Sequence, residues 1–101
     1  MSISTTSSVV NSRARAYDFL VGLMGVAPDV LTWDSTHRLQ GHAHHHGHEL
    51  VVIATHEASH TPVVLTAPEW DAVRRSSNDQ RHELIDSYAI TDHSGLVAAM
   101  Q

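Results

Sequence analysis

The sequence predicts a small α+β domain: a three-stranded antiparallel sheet with helices on one face, in the order β-α-β-β-α. Three observations predict it. Two β-branched runs, Val51-Val52-Ile53 and Val63-Val64-Leu65, flank a short polar and small segment, the pattern of a β-hairpin. A helix start follows at once, with Thr66 as N-cap, Pro68 in the first turn and Glu69 where the helix dipole favours a carboxylate. Upstream, a helical periodicity follows the short apolar start Val9-Val10-Asn11.

Taken in order, residues 1–8 are serine- and threonine-rich and read as a disordered arm. Val9-Val10-Asn11 reads as the first strand. Ser12 is then a candidate N-cap for a helix whose apolar stripe is Val10, Ala14, Tyr17, Val21 and Met24, widened by Leu20 and Leu23. Gly25 and Pro28 close that helix. Residues 29–48 read as an insertion, in which Leu31-Thr32-Trp33-Asp34 could add an edge strand with Trp33 packed on the sheet. Residues 49–55 form the second strand and 62–66 the third. Trp70 and Val73, three apart on the next helix, would cover the hairpin. Residues 9–75 thus form the body. Ser76-Ser77-Asn78-Asp79 is a loop and helix-start signal, opening a C-terminal helical tail over 76–101.

Composition narrows the function classes. The 101 residues suit one small domain with a modest core, so part of the apolar surface is expected to need a partner subunit. The absence of cysteine excludes a disulfide framework and a thiolate metal site, and fits a cytoplasmic location. No apolar run reaches membrane-spanning length. The apolar run over 19–27 follows Arg13 and Arg15, but Asp18 beside it and Pro28 after it argue against a signal peptide. A net charge of −5, with six arginines and no lysine, argues against a broad nucleic-acid surface.

The ordered elements, from Val10-Asn11-Ser12-Arg13-Ala14-Arg15 through the hairpin to Pro68-Glu69-Trp70-Asp71-Ala72-Val73, resemble the Phd/YefM family of type II antitoxins. The family opens with a short strand and a helix of "EARANLSELL" character, followed by a hairpin and a second helix. The resemblance implies a cytoplasmic homodimer that needs no cofactor and performs no chemistry. Its first helices would contact operator DNA through Ser12, Arg13 and Arg15. Its tail, through Leu84, Ile85, Tyr88, Ile90, Leu96, Val97 and Met100, would fold onto a cognate toxin and mask it. A RelE/YoeB-type endoribonuclease or a Doc-like protein would be that toxin, and the operon would be autorepressed. This chain departs from the family in being poorer in basic residues and in carrying His56 where an arginine often follows the second strand. A small acidic inhibitor of the phage-encoded kind would share most of these features.

Two histidine patterns compete with that reading. The run His42-Ala43-His44-His45-His46-Gly47-His48 has the density of a zinc- or nickel-binding tract, and extended backbone would put His42, His44, His46 and His48 on one face. Without a visible carboxylate or cysteine to complete the set, such binding would be adventitious. His56-Glu57-Ala58-Ser59-His60 fits His-Glu-x-x-His, a zinc peptidase signature in which helical imidazoles hold the metal and the glutamate activates water. His82, His93 or a carboxylate would have to supply its third ligand. Against it, the preceding β-branched run favours a strand, and Pro62 would break a helix in its ligand-bearing turn.

Overall fold

The computed structural model describes residues 5–34, 39–55 and 60–101, with side chains from residue 9 onward. Its elements are α1 (Thr5–Met24), β1 (Val30–Trp33), β2 (Gln40–His45), β3 (His48–Ile53), β4 (Val63–Thr66), α2 (Ala67–Arg75), α3 (Asn78–Tyr88) and α4 (His93–Ala99). The four strands form an antiparallel meander in the order β1-β2-β3-β4.

The α+β class therefore stands, while the sheet has four strands rather than three. The difference lies in the region read as an insertion, which contributes β1 and β2. Trp33 pairs with Gly41 across that junction, and the missing side chain of Gly41 is what admits the indole. A Cβ at Gly41 would lie 2.9 Å from Trp33 Cε3. Ala43, next on the same side of β2, is also small and buried, while His42 and His44 point to the opposite face.

Val9-Val10-Asn11 is helical, not a strand. The helix starts at Thr5, inside the segment expected as an arm, and carries through Ser12, which is interior to α1 and not its N-cap. The buried line along α1 is Val9, Ser12, Ala16, Leu20 and Leu23, spaced by three and four residues. The expected stripe is out of phase in its first half, where Val10 is 56 % exposed and Tyr17 39 %, and in phase at Leu20, Leu23 and Met24, which are buried. Ser12 and Ala16 are small, and they let the helix approach the sheet closely.

Helices cover both faces of the sheet rather than one. Ala43, Leu50, Val52 and Val64 join Ala16, Leu20, Leu23 and Met24 of α1, together with Ile90 and Leu96, in the main core. On the other face Val51 and Leu65, paired in register, are buried with Val73 of α2. Unbroken runs such as Val51-Val52 and Val64-Leu65 are what two-sided burial looks like in sequence.

The start of α2 follows the sequence. The Glu69 backbone N–H donates to Thr66 Oγ1 at 3.4 Å, and the Thr66 N–H donates to Glu69 Oε1 at 3.3 Å, a reciprocal capping box. The tail is docked. The Ile90 N–H donates to the Val64 carbonyl at 2.8 Å, and Asp92 caps α4 by accepting the Gly95 N–H at 2.7 Å. Ile90 and Leu96 are then only 7 % and 2 % exposed.

Candidate metal centre

The tract of histidines is neither a loop nor a single strand. It runs up β2, turns at His46-Gly47 and returns in β3. Both turn residues have positive φ, 51° and 80°, the backbone that a two-residue hairpin with right-handed strand twist requires. Glycine adopts it freely, and His46 accepts it under the constraint of the closing pair His45↔His48.

That geometry brings in a residue sixteen positions upstream of the pair it joins. Asp29 precedes β1, whose Val30 pairs with His44, and the Asp29 N–H donates to the His44 carbonyl at 2.8 Å. Its carboxylate folds over the hairpin tip, with Oδ2 accepting the His46 backbone N–H at 3.0 Å. Oδ1 lies 3.7 Å from His45 Nδ1. The two imidazole rings have centroids 3.9 Å apart. One donor atom each from Asp29, His45 and His46 falls within 4.8 Å of the others.

The electrostatics suit a cation. The His46 backbone N–H, first of all, holds the Asp29 carboxyl below its usual range; desolvation opposes this, and the neighbouring imidazoles add lesser lowerings. Asp29 is therefore a carboxylate at any neutral pH. His45 Nδ1 is buried and has no hydrogen-bond partner. Metal–ligand distances of about 2.0–2.1 Å give a tetrahedral edge of about 3.3–3.4 Å, so the 3.7 Å between Asp29 and His45 needs only a small closure. Two imidazoles and one carboxylate form a borderline donor set suited to zinc, nickel or copper(II), and three ligands leave a coordination position open.

Of the four histidines expected to share a face, only His46 belongs to this group, because the chain reverses at residues 46–47. His42 and His44 project from the opposite face of β2 and meet carboxylates there. His42 Nε2 lies 2.9 Å from Asp34 Oδ1, and His44 Nε2 lies 3.5 Å from Glu49 Oε1. His48 is exposed across from His45. Sequence reasoning missed Asp29, and it counted His45 as one histidine of the tract without placing it with the face-sharing set. The signal for Asp29 existed only in combination, as a carboxylate just before an edge strand that pairs with the histidine tract.

The residues assigned to DNA are tied into the fold. Ser12 is buried, the Arg13 guanidinium lies 5.0 Å from the centroid of the Trp33 ring, and Arg15 Nη2 donates to the Thr55 carbonyl at 2.9 Å. Of the tail residues assigned to a toxin, Ile90 and Leu96 are core and Met100 packs against it. Leu84, Ile85 and Tyr88 are half-buried, and Val97 is exposed. His56 and Glu57 of the peptidase pattern lie outside the described residues, and the chain on either side belongs to the paired strands β3 and β4. A larger cleft of about 460 Å³ lies away from the metal group, between Asp34, Gln40 and the α2–α3 helices. Its charged groups are already engaged: Asp34 meets His42, and Arg81 donates to the Ser76 and Arg74 carbonyls.

Compared with protein-family models, curated proteins and solved structures, the chain shows no significant match. No described helix is long and apolar enough to cross a membrane.

Proposed function

We propose that this protein is a transition-metal-binding protein whose site is the β2–β3 hairpin tip, with Asp29, His45 and His46 as ligands. The observation that carries it is the convergence of those three donors within 4.8 Å. The fold builds the site from a tight turn and an edge strand, and this distinguishes it from a flexible histidine tract. The carboxylate is already ionised and already braced by a backbone N–H, as outer contacts of metal ligands generally are.

Isothermal titration of chelator-stripped protein with zinc and with nickel tests this. One ion per chain is expected. Asp29→Ala, His45→Ala and His46→Gly should each weaken binding by about tenfold or more, glycine being chosen at 46 to keep the turn. His42→Ala with His44→Ala should leave the affinity unchanged. Equal sensitivity across all histidines would reduce the binding to a property of composition and end the proposal.

One observation favours the antitoxin-like reading as a second. Val10 and Tyr17 are exposed on the outer face of α1, where a protein partner or second copy could cover them. Light scattering after gel filtration should then give a dimer that Tyr17→Glu dissociates. A monomer at all concentrations removes that reading.

A further inference from the structure

Behind the hairpin tip lies a cavity of about 290 Å³, bounded by the hairpin, the end of α1 and α4. Its walls include His45, His46 and His93, and also Met24 and Met100. The chain has three methionines, so two of them meet three of its ten histidines at one cavity. We infer that this cavity is a copper(I) site, in which the thioethers of Met24 and Met100 and the imidazoles of His45, His46 and His93 supply the ligands. The inference rests on the preceding reading only in taking His45 and His46 as metal ligands.

Three features support it. Thioethers are soft donors that favour copper(I), and imidazole suits the same ion, whereas the outer carboxylate of Asp29 suits a divalent one. His93 Nδ1 lies 2.7 Å from the Leu23 carbonyl oxygen. That oxygen can only accept, so the proton of a neutral ring sits on Nδ1 and the lone pair on Nε2. An imidazole whose other nitrogen donates to a backbone carbonyl is the arrangement that metal-binding histidines adopt. Third, Met24 is 7 % exposed, so the inner end of the pocket is packed, while His46, His93 and Val97 at its rim are exposed. Methionine also fills irregular gaps in cores, and Met24 belongs to the core here. A filler has no use for three imidazoles lining the same cavity.

The test is an anaerobic competition between the full chain and bicinchoninate for copper(I), repeated with silver(I) as a redox-silent probe. The Met24→Leu/Met100→Leu variant conserves volume and is expected to fold. It should bind copper(I) at least about tenfold more weakly while its zinc affinity is unchanged. Asp29→Asn should do the reverse. In protein carrying 13C-methyl methionine, silver(I) should shift the methyl signals of Met24 and Met100. Equal copper(I) affinity in the parent and the double-leucine chain overturns the inference, and so does an equal loss of zinc and copper, which would mean that the thioethers act only through packing. Zinc binding together with methionine-independent copper binding leaves the hairpin site standing and removes this one. Methionine-dependent copper binding without any zinc binding does the opposite.

Discussion

Gly41 shows how one missing atom can decide an element. Its absent Cβ leaves room for Trp33, which in turn lies under the Arg13 guanidinium. Gly41→Ala should cost about 1–3 kcal/mol, measured by urea unfolding, because the clash is with a ring and with backbone that cannot swing away. Thr66→Ala should cost about 1 kcal/mol, since it removes the acceptor of the capping box. Asp29 sets an acid dependence. Its folded-state pKa lies below the ordinary 3.8, so its contribution is complete above that value and is lost as pH falls through the lower, folded one. A carboxyl titration by NMR of metal-free protein should place the Asp29 midpoint below 3.8, and a midpoint at or above it contradicts the hairpin-tip geometry. Thr66 and Glu69 were legible in the sequence because capping is a local chemistry, complete within four residues. Asp29 was not, because its role depends on strand register.

At the scale of elements, periodicity was read correctly in kind for α1 and wrongly in phase for its first half. A stripe through Val10, Ala14 and Tyr17 is as regular as the true one through Val9, Ser12, Ala16 and Leu20. Hydropathy prefers the first, since it overlooks that small residues can be buried for the close approach they allow. The two can be separated by mutation. Leu20→Ala should cost about 2–5 kcal/mol, and Val10→Ala should change stability by less than about 0.5 kcal/mol in the free chain, both measured from urea midpoints. The hairpin β3–β4 and α2 emerged from sequence because strand runs, turn and cap agree with one another there. β2 did not, since its glycine, alanine and histidines have low strand propensity and depend on pairing with β1 and β3.

For the whole molecule, the two-sided sheet makes the C-terminal segment part of the body. Truncation after Tyr88 removes Ile90 and Leu96 from the core and the Ile90–Val64 hydrogen bond from the edge of β4. Such a chain should lose its cooperative thermal transition, whereas a docked but dispensable tail would leave the transition in place. Saturating zinc should raise the melting temperature of the full chain, by linkage to a site formed only when β1 and β2 are paired.

The meander also orders events in time. Each strand pairs with the one that follows or precedes it along the chain, so the sheet can zip up through short loops, a topology of low contact order. The union of α1 with α4, which brings His93 to the Leu23 carbonyl, joins groups separated by seventy residues. A nascent sheet can therefore present the outer, carboxylate-bearing side of the hairpin before the two ends of the chain have met. The methionine-lined side needs Met24 at the end of α1 and Met100 after α4, so it is complete only once those two helices have met.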